Sequence, residues 1–440
     1  MKITTHAHGA ISNAVYAYLT AGTTAAIYRE DTPLSTGDLF VIDARSCPAH
    51  EVSLAFAPLL AGAGVLLLDA SDEHKKALAR HIGFRSQGAN TGYFVSRHAD
   101  AAGHVSYRIV EAGDSTSKMT STSQRAYKDN IIEQHEVHPA VVAFEDVQQV
   151  HALTQADIDL FATTIASPVV LDASAPPPAQ LVWKNWIYSR THTFTAAGAG
   201  NSDFDAPPSK TISLLLTYTF QGALNNTPQT GPFQYLGLLE TGIFQNNGMS
   251  HTSNTDFGWT IAAFNPTFAA SSALQYFESS PSNTNDVAQV TTGSSVTVGF
   301  DASSEGTAGL NGSYTYSNAT TKNISDWYIT QNQSNNWLYA QNTPYDGVTT
   351  SFPSGGFNWF TGLIETGSFP VISTTSLQFA MSAVWKTNSV LTTEVDITVY
   401  NLMRVDYLRE NTFLGLGTKG AFWNSTSVPQ DIFSIDMSAL

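Results

Sequence analysis

From Val287 to Thr321 the chain has no Lys or Arg, and its residues alternate in character one by one. Ala288, Val290, Thr292, Ser294, Val296, Val298 and Phe300 share one parity, while Gln289, Thr291, Gly293, Ser295, Thr297 and Gly299 share the other. A period of two marks an extended strand, because successive side chains point to opposite faces. A small polar stretch from Asp301 to Thr307 follows, with Asp301 and Glu305 as its only charges. The return run puts Ala308, Leu310, Gly312, Tyr314 and Tyr316 on one face and Asn311, Ser313, Thr315 and Ser317 on the other. The segment reads as a hairpin with one apolar and one wet face, and each arm reaches the ~9–11 residues that a tilted strand needs to cross a bilayer. Two structures satisfy that pattern. One is a half-buried hairpin of a soluble antiparallel sandwich. The other is one part of a transmembrane β-barrel, which several copies would have to share, since a lone hairpin leaves open edges that lipid cannot satisfy. In the second case Val296, Val298, Phe300, Leu310, Tyr314 and Tyr316 face lipid. Ser295, Thr297, Asn311, Ser313, Thr315 and Ser317 then line the pore, and Asp301 and Glu305 mark the tip of the stem.

At 440 residues the chain can hold two domains and a full core. Its formal net charge of -16 argues against a nucleic-acid partner. No Lys or Arg occurs between Lys210 and Lys322, and the second part of the chain is rich in Ser, Thr, Asn, Gly and aromatics, as in secreted or surface β-proteins. Cys47 is the single cysteine, so no intramolecular disulfide is expected. The stretch Met1 to His8 lacks the apolar core of a signal peptide, and no run of ~18 apolar residues marks a membrane helix. The expectation is a chain made in soluble form that meets any membrane later, by an export route the sequence leaves open.

Residues 1–167 read as α/β. Leu39 to Ile42 and Val65 to Leu68 are short continuous apolar runs, suited to strands buried on both faces. Ala49 to Leu60 has helical spacing, and Ser71-Asp72-Glu73 opens a helix with an N-cap and an acidic first turn. Tyr93 to Val95, Tyr107 to Val110 and Ala140 to Ala143 add strands, and a last helix runs from Thr154 to about Thr164. The sum is a small doubly wound sheet. Residues 168–181 form a Pro-rich linker with Pro176-Pro177-Pro178, where few contacts should cross. Beyond it, over residues 182–440, strand patterns dominate at Thr211 to Phe220, Phe257 to Phe264, Ser376 to Trp385 and Thr392 to Tyr407, the signature of a mainly antiparallel β-sandwich.

Catalysis finds no constellation to rest on. His135-Glu136-Val137-His138 lacks the HExxH spacing of a zinc helix, and His6-Ala7-His8 is the other tight histidine group. Ser115 to Lys118 fits S-x-x-K but lies in a Ser/Thr-rich run without helical pattern. The chain is expected not to be an enzyme and to need no metal or cofactor. Aromatic groups are more informative. Phe352 to Phe360 places four aromatics in an uncharged loop, and Asn336-Trp337-Leu338-Tyr339 precedes Pro344-Tyr345-Asp346-Gly347. Exposed, such rings suit a headgroup surface; buried, they cap the sandwich core.

The order of these features resembles the cytolysin (Vibrio cholerae cytolysin-like) branch of the leukocidin/α-haemolysin family of β-barrel pore-forming toxins. The resemblance is carried by Ala63 to Asp69, Gly83-Phe84 and Tyr93 to Ser96, similar to the family branch's pro-domain, and by Ile165 to Pro168, similar to its end. Trp183-Lys184-Asn185 and Ile212 to Leu215 resemble the start of the cytolysin domain, and Gly312 to Ser317 the end of the pre-stem. Asn335-Asn336-Trp337 with Pro344-Tyr345-Asp346 resembles the rim, while Leu377 to Phe379, Thr393 to Ile397 and Arg404 to Tyr407 resemble late strands. The resemblance implies an α/β pro-domain, then a leukocidin-like β-sandwich with a pre-stem over about 280–322 and a rim over about 335–362; the expectation departs from that branch in being without lectin domains. It implies a secreted soluble precursor cut near Ser167, Pro168, Asp172 or Ala175 by an activating protease, which then assembles, as a heptamer, on a target-cell bilayer. By the resemblance Trp337 would meet phosphocholine headgroups, and Tyr339, Tyr345, Phe357, Trp359 and Phe360 are the further aromatics expected at the lipid-binding rim. The alternative is a non-lytic surface module that binds carbohydrate or lipid and keeps its hairpin in the sandwich.

Overall fold

The computed structural model describes residues 2–21, 23, 25–29, 33–88, 90–99, 103–113, 116–119, 147–150, 155–166, 182–196, 208–225, 232–245, 248–252, 255–281, 290–292, 295–300, 312–317, 320–322, 327–341, 378–413 and 416–440. The chain begins with β1 (Ile3–His6), α1 (Ala14–Thr20), β2 (Ala25–Ile27) and β3 (Leu39–Asp43). A 3-10 helix (Ala49–Ala55) runs into α2 (Phe56–Leu60), followed by β4 (Gly64–Ala70), α3 (Asp72–Ile82), β5 (Phe84–Ser86), β6 (Asn90–Ala99) and β7 (Val105–Ala112). After β8 (Thr116–Met119), β9 (Val147–Val150) and α4 (Gln155–Ala166), the structure is almost entirely strand.

The two apolar runs are buried on both faces, and the period of two sorts them. Phe40, Ile42, Val65 and Leu67 belong to one core with Val52, Ala55, Leu59, Leu78 and Ile82, contributed by the 3-10 helix, α2 and α3. Leu39, Val41, Leu66 and Leu68 belong to the other, with Val15 of α1 and Ile158 and Phe161 of α4. Helices therefore cover both faces of the parallel strands, as expected of buried parallel sheet. Local signals act in part. Asn13 caps α1, its Oδ1 accepting from the Val15 and Tyr16 amides at 2.9 and 3.2 Å. Ser71 occupies the N-cap of α3, but its hydroxyl hydrogen-bonds His74 Nδ1 at 2.6 Å rather than capping a backbone amide. Gly83 ends α3 at φ 80°, and a Cβ there would lie 2.7 Å from that of Ala439. The helix expected over residues 49–60 is mostly 3-10. Pro58 has no N–H for the Leu54 carbonyl, so the preceding residues tighten into i→i+3 bonding.

The sandwich strands are β10 (Val182–Ala196), β11 (Lys210–Asn225), β12 (Phe233–Gln245), β13 (Gly248–Thr252), β14 (Thr255–Ala270) and β15 (Gln275–Ser280). The hairpin strands β16 (Val290–Thr292), β17 (Ser295–Phe300), β18 (Gly312–Ser317) and β19 (Thr320–Lys322) follow. The last are β20 (Trp327–Gln333), β21 (Asn336–Gln341), β22 (Gln378–Lys386), β23 (Glu394–Phe413) and β24 (Leu416–Asp436). Two sheets face each other. One has the order β15-β22-β12-β11-β10-β7-β6-β4-β3-β1-β2, and the other β20-β21-β14-β23-β24-β5, with β13 on β14. Phe264 of the second sheet packs between them, edge-on to Phe244 and tilted against Phe379 of the first, with ring centroids 5.6 and 4.1 Å apart. Gly242 makes room for that packing, since a Cβ would sit 2.1 Å from the Phe379 ring.

The first sheet runs without a break from the α/β part into the sandwich. β7 pairs with β10 in parallel from Val105↔Lys184 to Glu111↔Arg190, and β5 pairs antiparallel with β24 through Phe84↔Ile435. Phe84 enters the sandwich core, its ring 5.3 Å from Phe220 and 5.7 Å from Phe433, and the Trp186 indole donates to the Ile82 carbonyl at 2.8 Å. The expected linker over 168–181 and the strand over 140–143 lie outside the described residues. Replacing Phe84 by Ala empties a site shared by both parts. The expected loss is ~3–5 kcal/mol of unfolding free energy, read by denaturant titration. A loss confined to the α/β part, with the sandwich transition unmoved, would contradict a shared core.

Candidate functional site

The hairpin is a single register. Val290 pairs with Lys322 and Thr292 with Thr320, and the same antiparallel register continues from Ser295↔Ser317 through Val298↔Tyr314 to Phe300↔Gly312. Directly paired positions share a face of the ladder. Positions 296 and 298 therefore share a face with 316 and 314, while 295, 297 and 299 share the other with 317, 315 and 313. Among the residues of these four strands, Lys322 at the base is the one charged residue. Leu310, Asn311, Asp301 and Glu305 lie outside the described residues.

The hairpin lies along the sandwich, β17 beside β15 and β22, and β16 beside β20 and β22. Its two roots belong to different sheets. The chain leaves from β15, in the first sheet, and returns into β20, in the second. Side chains tie these roots together. The Gln331 amide donates to Ser279 Oγ at 2.5 Å, Tyr276 OH shares that hydroxyl at 2.7 Å, and the Trp337 indole donates to the Pro281 carbonyl at 3.0 Å.

Trp337 is thus not an exposed rim residue, and neither is Tyr339. Both are fully buried, Trp337 against Phe268 at 5.1 Å between ring centroids, and Tyr339 with its hydroxyl on the Ala380 carbonyl at 2.6 Å. They sit on β21 opposite β14, so alternation turns both of these odd-numbered positions into the core, and the expectation of headgroup contact for these two is corrected. Tyr345, Phe357, Trp359 and Phe360 lie outside the described residues, as do Ser167, Pro168, Asp172, Ala175 and the His135 group. Lys118 lies on strand β8, so the S-x-x-K spacing does not stand on a helical turn there.

A second set of residues, absent from the sequence reading, joins the α/β part to the sandwich. Glu111 of β7 is buried, taking Lys75 Nζ at 3.0 Å and hydrogen bonds from Ser86, Asn90 and Tyr188. Arg190 of β10 stands 3.9 Å from Glu111 and donates to Asp431 of β24 at 3.0 Å. Asp431 also takes Tyr218 OH at 2.8 Å and His192 Nε2 at 3.2 Å, and Asn401 links Tyr218 to Glu240 at 3.2 and 3.0 Å. Burial pushes the Glu111 carboxyl up, but Lys75 and Arg190 outweigh it and hold it below the usual carboxylate range. Asp431 is likewise pushed up by burial, yet His192, Arg190 and Tyr218 bring it down to about 2. Burial lowers His192 beyond what Asp431 restores, so its ring is neutral at pH 7. Glu240 has no cation at hand among the described residues. Burial first, then the Asp431 charge, raises it well above its usual value, so it holds a proton. These groups were detectable only as charges embedded in apolar strand patterns, as in Ile109-Val110-Glu111, Leu238-Leu239-Glu240 and Asp431-Ile432-Phe433.

No family model matches the chain, and no curated protein matches it. Solved structures similar to it include a pore forming protein and two toxins. One is described as a pore forming protein, with 13% identity, TM-score 0.34 and coverage of 57% of this chain and 92% of that one. Another is the Clostridium perfringens delta-toxin, with 12% identity, TM-score 0.33 and coverage of 57% and 91%. A third is the Clostridium perfringens NetB toxin in the membrane inserted form, with 13% identity, TM-score 0.29 and coverage of 56% and 95%. Likenesses this remote assign neither a family nor an activity.

Two outcomes follow from this geometry. Trp337→Ala should lower unfolding free energy by ~3–5 kcal/mol, as for a buried aromatic, measured by denaturant titration; unchanged stability would return Trp337 to the surface. Glu240→Gln should stabilise the protein progressively as pH rises. Above the usual glutamate range the unfolded chain releases a proton that the folded state keeps, so wild-type stability falls with pH while that of the non-titrating variant does not. The gap should widen by at most ~1.4 kcal/mol per pH unit between pH 5 and 8; a constant gap would show an ionised Glu240.

Proposed function

We propose that this chain is a pore-forming protein, released as a soluble precursor, whose hairpin over about 280–322 inserts with those of other copies into a transmembrane β-barrel. The single observation that supports it most is the one-register ladder, charge-free from 290 to 300 and from 312 to 317, whose paired positions separate Val296, Val298, Tyr314 and Tyr316 from Ser295, Thr297, Ser313, Thr315 and Ser317. In a shared barrel the first set meets lipid and the second lines water. With Phe300 and Leu310 included, six apolar side chains at ~1.5–3 kcal/mol each give an upper bound of roughly 9–18 kcal/mol per copy against the cost of ordering the hairpin. Seven copies is the number the family resemblance implies.

Release would begin where the roots are tied, at Ser279, Gln331, Pro281 and Trp337. Headgroup contact falls to Tyr345, Phe357, Trp359 and Phe360, which follow β21 in the sequence. An activating cut near Ser167, Pro168, Asp172 or Ala175 would not by itself free the α/β part, because the β7–β10 pairing and Phe84 still bind it to the sandwich. Its departure, or its movement, is then a separate step that follows cleavage at a target membrane after secretion. The second reading, a non-lytic carbohydrate- or lipid-binding module, is favoured by the burial of Trp337 and Tyr339 and by the hairpin's place along β15 and β22.

Parity separates the two. After limited proteolysis, the wild-type chain should release dye from phosphatidylcholine vesicles. Val298→Lys should bind vesicles without release, since Lys facing lipid at the midplane costs ~2–4 kcal/mol and each copy repeats it. Thr297→Lys should still release dye and should shift single-channel currents toward anions. Equal effects of Lys at both positions would favour the binding module.

A further inference from the structure

The strands of the α/β part carry a feature that pore formation does not use. β1, β2, β3 and β4 are mutually parallel in the order β4-β3-β1-β2. The helix after β1 covers one face of the sheet, while the helices after β3 cover the other. The connections therefore diverge between β1 and β3, and ligands of open α/β sheets bind outside the carboxyl ends of strands that part in this way. His6 is the last residue of β1, paired with Ile42 of β3, and His8 follows two residues on. Glu51 comes from the first turn of the 3-10 helix after β3.

These three side chains converge on one point. His6 Nε2 and His8 Nε2 lie 3.0 and 3.2 Å from the same oxygen, Glu51 Oε2, and the three ligand atoms all fall within 4.8 Å of one another. Cys47 Sγ also approaches that oxygen, at 3.7 Å. The Cys47 thiol has one proton and lies as close to the Pro48 carbonyl, at 3.6 Å, so the two imidazoles are the groups that converge on the oxygen. A cation held by all three side chains would satisfy the same convergence. Zinc bonds of ~2.0–2.1 Å to nitrogen and oxygen place tetrahedral neighbours ~3.3 Å apart, close to the two N···O separations here. The His6 side chain is 19% exposed and that of Glu51 27%, while that of His8 is 54% exposed, so the point is walled on the sheet side and open to water on the other.

We propose that His6, His8 and Glu51 form a binding site for a divalent transition metal of the zinc class, with a fourth position left to water. Two imidazoles and a carboxylate are the donors that such ions prefer over magnesium or calcium. The ion would bridge β1 to the 3-10 helix across more than forty residues of chain and would pin the first strand of the sheet. This site stands apart from the hairpin and holds whether or not the chain forms pores.

Calorimetric titration of the full-length protein with Zn2+ tests it, alongside Glu51→Gln, His8→Ala and, as a control, the exposed His98→Ala. One equivalent should bind the wild type and the control alike, and affinity should fall more than ~10-fold in each site variant, at least the loss typical of disturbing a metal's outer shell. Glu51→Gln keeps a hydrogen-bond acceptor for both histidines, so its unfolding temperature without zinc should match the wild type. Co2+ in place of Zn2+ should give the strong visible absorption of a four-coordinate ion. No uptake, uptake equal in all four proteins, or the weak spectrum of a hydrated octahedral Co2+ would overturn the site.

Discussion

The parallel pairing of β7 with β10 is the joint on which the architecture turns. Without it, β7 would be an exposed edge of the α/β sheet and β10 an exposed edge of the sandwich, each with a row of unmatched amide and carbonyl groups. Joined, they make one sheet with a continuous core on one face, covered by helices at its α/β end and by a second sheet at its sandwich end. β5 repeats the device on the other sheet by pairing with β24, and this carries Phe84 among Trp186, Tyr188, Phe220 and Phe433. The α/β part is structural to the sandwich rather than appended to it.

Charge follows the same seam. Lys75 and Glu111 belong to the α/β part and Arg190 and Asp431 to the sandwich, so each side brings one cation and one anion. Buried ion pairs contribute little net stability against apolar packing, because desolvation offsets attraction. Their arrangement here has another consequence. Were the two parts to separate, each would keep its own neutral pair, whereas the aromatic contacts around Phe84 would be lost outright. Apolar burial therefore holds the joint, and the polar network spans it through Arg190 beside Glu111.

The hairpin depends on a different constraint. Its roots lie in opposite sheets, and among the described residues Ser279, Gln331, Pro281 and Trp337 tie them together at the base. The pairing of β12, β14 and β23 does not run through the hairpin, so the proposed insertion would leave those strands paired.

Much of this was legible in the chain itself. The continuous apolar runs at 39–42 and 65–68 implied strands buried on both faces, and the parity of 287–321 implied a hairpin with two unlike faces, because side-chain direction in a strand depends on nothing beyond sequence position. The same parity could not say whether Trp337 and Tyr339 face water or core. Both belong to one face of β21 whichever way the strand is turned, and only its packing against β14 and β22 turned that face inward. Nor could sequence join Glu111 to Asp431, or His6 and His8 to Glu51. Those partners are brought together by strand order and crossover, which long-range pairing decides, so the local pattern of either partner carries no trace of the other.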